Sequence, residues 1–547
     1  MISKVSVENR NLNSKYNCVP KKNLESKNPS FKAGGALNAI LWGIQECEKN
    51  PMINVAVIDM FSAILPRTFV ESMTNWFAGF EALRRESSGL IVNCLIPSAI
   101  TMGIAALLND FIMPLNSNMS NCWADNDLIQ RATDIYKSSK SDDKVKDSLK
   151  QLIANSEGTH GKNKVLFSEI LSKNELNKYA EELKNLSKKD LKNRELKKEV
   201  ERIATEIAEK THVYENITVK GGKEVKASTI KTLLLDSVKY FREFGKANKY
   251  VDIPIEEFAK NSKRLVGSKS ALGMLVVLPL AASMQYINRW ITEKTSGVKG
   301  APIYEDFGAE QNEEVKQKSK EGLLKQKIIS IGSMLGVGLA SMMKMPSWSM
   351  FQFKGPFPTM DQARIISTTT FASRMAAADD KNELAEATTR DIATFLSLYF
   401  LGDYAAKAAA TVIENKTGVM LLNDTKPIEK DANIFKKFWH WMKDVHIKSS
   451  EEVISKTKEA LKGAVPTKAQ EAQIAKEIKQ AVNLRSACQV ANLGVSLILL
   501  GLVIPFWTRS KTKKKHAEAL KLAEINSSGL NEKNKETEDI KSVKVPA

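Results

Sequence analysis

Residues 486–508 (SACQVANLGVSLILLGLVIPFWT) carry no charged side chain, and Arg509, Lys511, Lys513, Lys514 and Lys515 follow at once. A helix crosses the hydrocarbon of a bilayer in about 20 mostly apolar residues, and this run is long enough. Phe506 and Trp507 stand at its end, where headgroups would lie, just ahead of the basic cluster. The feature assigns a solvent to the chain and names no reaction.

Mean hydropathy is −0.26, too polar for a compact bundle of spans, so apolar runs must alternate with long polar stretches. Residues 87–109 are uncharged, with Arg84 and Arg85 before them and Asp110 after. Pro97 would kink this helix, which membrane helices tolerate. Residues 270–288 end at the interfacial anchors Tyr286, Arg289 and Trp290. Residues 324–343 form another run if Lys325 and Lys327 snorkel. The stretch 51–66 is broken by Asp59, so an interfacial or protein-buried helix is expected there.

Arg84, Arg85 and the cluster after Trp507 place both termini in the cytoplasm by the positive-inside rule. Both ends on one side require an even number of crossings. Four fit, at about 87–109, 270–288, 324–343 and 487–507. Residues 392–413 are then re-entrant, interfacial or buried. Six crossings would gather Arg67, Arg84 and Arg85 in a short outside loop, against the rule.

The expected fold is all-α: a polytopic helical membrane protein with a soluble, partly coiled-coil-like insertion. Residues 1–34 read as a disordered tail, 35–116 as membrane-associated helices, and 117–269 as a Lys/Glu-rich helical region. A central membrane region, 270–415, precedes a polar helical region, 416–484. The C-terminal span, 485–509, leads to a charged tail, 510–547. In the insertion, Leu196, Val200, Ile203 and Ile207 alternate in steps of four and three, the seam of an amphipathic helix. Gly221 and Gly222 mark a turn.

Small residues four apart smooth a helix face for a neighbour. Gly332, Gly336 and Ala340 form one such set, and Gly402, Ala406 and Ala410 another. They are the surfaces expected to take a protein partner or a second copy. Asp403 and Lys407, also four apart, can pair. They mark either an intramembrane ion pair on a transport path or, more simply, the point where the helix leaves the bilayer. In 435–446, Phe435, Phe438, Trp439 and Met442 share a face, with Lys436, Lys437 and Lys443 elsewhere. A basic helix with an aromatic face lies in the headgroup plane, so anionic lipid headgroups are expected partners.

The net charge of +18 suits an anionic membrane surface. Nucleic acid is not expected, because the lysines are spread among glutamates without an aromatic-basic module. The five cysteines (Cys18, Cys47, Cys94, Cys122 and Cys488) are scattered, without CxxC spacing. The residues show no phosphate loop, nucleophile elbow, HExxH or EF-hand, so no cofactor, metal or catalytic residue is expected. The acidic group Asp379, Asp380, Glu383 and Glu386 reads as the start of a solvated helix.

These readings lead to an integral membrane protein that is not an enzyme: a scaffold or partner-binding anchor, in a bacterial inner or plasma membrane. A transporter or channel component is the alternative, and a membrane-anchored enzyme ranks below both. The structural alternative is a soluble all-α protein whose apolar runs are core helices.

Overall fold

The computed structural model describes residues 43–45, 51–73, 76–160, 163–222, 224–297, 322–342, 348–379, 381–423, 433–460 and 468–508, with 510, 511, 514 and 518. The two terminal tails expected from the sequence lie almost wholly outside these residues. The chain is overwhelmingly helical. It divides into two compact units, one from Met1–Lys49, Ile112–Arg264 and Asp403–Asn492, the other from Asn50–Phe111, Leu265–Gly402 and Leu493–Ala547.

The first unit holds the insertion. Several of its helices start where side chains satisfy their free N–H groups. Asp125 accepts from Leu128 N at 2.8 Å at the head of Asn126–Ser138, and Ser172 with Glu175 forms a capping box on Lys173–Lys188. Leu196, Val200, Ile203 and Ile207 are fully buried along Asn193–Thr211, which packs on Lys173–Lys188 and Ile230–Asn248. The expected seam is thus used inside a globular domain.

That domain also contains a four-stranded antiparallel sheet, absent from the helical expectation. The strands are β1 (Ser156–His160), β2 (Asn163–Leu166), β3 (Glu215–Val219) and β4 (Val225–Thr229), in spatial order β2-β1-β3-β4. They are short and half polar, so no apolar run announced them. Gly221 and Gly222 form the β3–β4 turn with φ of 86° and 158°, and Arg131 Nη2 donates to the Lys220 carbonyl at 2.7 Å. The remainder of the unit packs Ala406, Ala410, Leu421, Val453, Ala481 and Cys488 into one apolar cluster.

In the whole chain, five helices among the described residues are long and apolar enough to cross a membrane: Met52–Ser72, Trp76–Ile112, Ile255–Thr295, Leu323–Ser341 and Gln473–Thr508. This is compatible with a membrane location. The count exceeds the four expected from the sequence. The stretch 51–66, expected to be an interfacial or protein-buried helix because of Asp59, is part of Met52–Ser72, and its helix continues through Asp59 and Pro66. The segment 392–413 is not among the five. The longest helix, Ile255–Ser296, has 42 residues, about 60 Å at 1.5 Å per residue. Only its apolar middle is matched to a hydrocarbon layer of about 30 Å.

A buried polar centre as candidate functional site

Four π-helical turns occur among the described residues: Met60–Ile64, Ile91–Leu95, Ser397–Leu401 and Leu497–Val503. All belong to the second unit. Three are followed, two residues on, by a proline: Pro66, Pro97 and Pro505. Proline lacks an N–H and its ring collides with the carbonyl four residues back. A wider turn relieves the collision, and such turns recur at functional sites.

The C-terminal π turn shows the consequence. Ile504 N–H donates to the Leu499 carbonyl, five residues back. The next rung would join the Leu500 carbonyl to Pro505, which has no N–H. Arg67 Nε supplies the missing donor at 3.3 Å. The same guanidinium donates to Thr394 Oγ1 at 2.8 Å and to Glu86 Oε2 at 3.3 Å. Gly501 makes this approach possible. A Cβ there would stand 2.8 Å from Pro66 Cβ and 2.9 Å from the Ser62 carbonyl oxygen.

A second set of charges lies in the same unit. Asp391, almost fully buried, accepts on Oδ1 from Arg374 Nη1 at 2.8 Å and from Arg390 Nε at 3.3 Å. Its Oδ2 and Arg374 Nε are buried without a hydrogen-bond partner. Arg374 ends a polar face on Met360–Ala376. Ser367, Thr370 and Arg374 follow i, i+3, i+7 and therefore line one side. Ser367 Oγ meets Tyr399 Oη at 3.0 Å, and Thr370 Oγ1 donates to Asn93 Oδ1 at 3.1 Å. This hydroxyl-rich helix is buried along most of its length, although it is too polar to be a span itself.

Asp59 completes the centre. With Met52, Ala56 and Ala63 it follows the i, i+4, i+7, i+11 side of its helix, the side that packs inward. Among the described residues its carboxylate has neither hydrogen bond nor ion pair, while Arg67, Glu86 and Arg374 lie in electrostatic range. A third polar set joins Glu81, Arg84, Ser88, Asn288 and Thr292: Thr292 Oγ1 donates to Glu81 Oε1 at 2.6 Å, and Asn288 Nδ2 to Ser88 Oγ at 2.9 Å.

The residues singled out from the sequence fall elsewhere. Gly332, Gly336 and Ala340 lie on the exposed side of Leu323–Ser341, with open space at both glycine Cβ positions. The close approach on that helix is made by Gly338, against Thr368. Gly402, Ala406 and Ala410 are buried. Lys407 Nζ donates to the Met442 carbonyl at 3.0 Å and lies over the Tyr404 ring, while Asp403 accepts from Asn492 at 3.5 Å. Asp379 and Glu383 both hold Arg289, and Glu386 stands 4.0 Å from Arg390, so these three are ion-pair partners; Asp380 lies outside the described residues.

Phe435, Phe438 and Trp439 project outward from Ile434–Lys443, at 80, 54 and 56 % exposure, and Met442 is half-buried. Phe506 and Trp507 are also half-exposed, with Lys511 over the Trp507 ring. The polar centre itself was not anticipated. Its one sequence signal was the run Ser367, Thr368, Thr369, Thr370 and Ser373 between apolar segments. Comparison with protein-family models, curated proteins and solved structures yields no match.

Proposed function

We propose that the chain is an integral protein of a bacterial inner or plasma membrane, a non-enzymatic scaffold or partner-binding anchor that holds a folded polar domain at the bilayer. The observation that carries this reading is the exposed aromatic face of Ile434–Lys443 beside exposed Lys436 and Lys437. Such a face is costly in water and favourable at an anionic headgroup layer. The exposed Gly332–Gly336–Ala340 surface is where a protein partner or second copy would pack. The basic cluster after Trp507 belongs on the cytoplasmic side. Five crossings would place the chain before Met52 on the other side, whereas four would return it to the cytoplasm.

Carbonate extraction of membranes tests the core of the proposal: retention in the pellet is expected, and release into the supernatant refutes it. A bimane probe at Trp439→Cys should be quenched by nitroxide-labelled lipid rather than by aqueous iodide. Protease protection of tags at each end separates the two crossing counts.

One observation favours a second reading, transport. Arg67 and Glu86 pair between two helices apolar enough to cross a membrane, and the buried Arg374–Asp391 pair lies in the same unit. A passive anchor needs none of them. Ionisable groups at such positions are expensive and mark ion or proton paths in many membrane proteins.

A further inference from the structure

We propose that Asp59 is a proton-carrying carboxyl, and that the membrane unit moves protons through it. The inference rests on the transport reading and names its ligand. Three observations converge. Asp59 sits half-buried in the middle of an apolar helix, on the side it shares with Met52, Ala56 and Ala63, without a hydrogen bond or ion pair among the described residues. An ionised carboxylate so placed is strongly disfavoured, so a proton is its natural partner.

The neighbouring cations are committed to other groups. Arg67 is held by Glu86, Thr394 and the Leu500 carbonyl, and Arg374 by Asp391. The groups in electrostatic range of Asp59 are Arg67 on its own helix, Glu86 and Cys94 on Trp76–Ile112, Arg374 on Met360–Ala376, and Tyr399 on Ser397–Leu401.

The third observation is a hydrogen-bonded polar face beside it. Tyr399–Ser367, Asn93–Thr370 and Asp391–Arg374 are contacts along Met360–Ala376, spaced over roughly 10 Å of helix rise. Hydroxyl and amide groups in such a row can relay protons. The wide turn that begins just after Asp59 gives its helix a place to flex. Chemically the step is one proton transfer. Hydronium gives its proton to Asp59, forming one O–H bond, and the same bond breaks on release to water at the other face. No electron moves and no co-reactant is needed.

The test uses the purified full chain in liposomes enclosing a pH-sensitive dye, with a potassium potential set by valinomycin. Wild type should acidify the lumen, Asp59→Asn should fall to the level of protein-free vesicles, and Asp59→Glu should retain flux. Asn matches a protonated Asp in size and polarity, so the variant should fold. Infrared difference spectra of the same samples should show a protonated-carboxyl band in wild type that Asp59→Asn lacks and Asp59→Glu shifts. Wild-type flux unchanged in Asp59→Asn overturns the proposal and leaves the transport reading standing. Wild type no faster than protein-free vesicles removes both. A carboxyl band that survives in Asp59→Asn also overturns the assignment.

Discussion

Replacing Arg67 by Met keeps much of the side-chain volume and removes the charge and every donor. Removing one partner of a buried ion pair costs about 3–5 kcal/mol, because the other charge is stranded. Glu86 is not left bare, since Arg85 stands 3.5 Å from its other oxygen. The lower end, about 3 kcal/mol, is therefore expected for this part. The Leu500 carbonyl also loses its donor, and Pro505 cannot replace it. An orphaned buried acceptor costs about 1–3 kcal/mol, which brings the total to about 4 kcal/mol. Thr394 adds little, because its hydroxyl can turn to a backbone carbonyl of its own helix. Converting Glu86 to Gln in the Arg67→Met background removes the stranded charge and should recover about 2 kcal/mol. The assay is unfolding from mixed micelles by increasing SDS, followed by tryptophan fluorescence, for wild type, both single variants and the double. A loss below about 1 kcal/mol for Arg67→Met, or strict additivity in the double variant, would refute the account of this pair.

Pro505→Ala restores an N–H opposite the Leu500 carbonyl, so the Arg67→Met penalty should shrink by about 1 kcal/mol in that background, measured in the same unfolding assay. Gly501→Ala should destabilise by about 1–3 kcal/mol through overpacking against Pro66 and Ser62, whereas Gly336→Ala, with open space around it, should be neutral or mildly stabilising; equal thermal shifts for the two would contradict the packing. Burial, with Lys407 and Lys448 nearby, holds the His446 imidazole below its ordinary 6.5. A group lowered in the folded state contributes stability above its unfolded value and loses it as pH falls through the folded one. Wild type should therefore lose melting temperature from about pH 6.5 downward, and His446→Gln should lose less over that window; parallel curves would show that His446 is not the cause.

Four of the five long apolar helices were legible because length, apolar composition and flanking residues are local properties. The run 486–508 is helical to Thr508 and ends in half-exposed Phe506 and Trp507. The insertion seam was legible for the same reason, since Leu196, Val200, Ile203 and Ile207 repeat at helical spacing and are all buried. The sheet was not, because its strands are short and polar and are held by partners distant in sequence: β1 pairs with β3 across an intervening helical stretch. Asp59 was read from the sequence as an interruption of an apolar run. Its helix continues because Pro66 is absorbed by a π turn and Arg67 finds Glu86, Thr394 and Leu500.

The sequence by itself determined where apolar helix can form, which ends carry aromatic and basic anchors, and which polar stretch must fold separately, because hydrophobicity and helical period are written residue by residue. Tertiary structure decided which of those residues meet. It chose Gly338 and Gly501 rather than Gly332 and Gly336 for close packing, and it brought Arg67 to a carbonyl that Pro505, more than four hundred residues away, had left without a donor. That meeting depends on helix crossing points and on the direction in which each side chain leaves its helix. Neither is encoded in any local window of the chain.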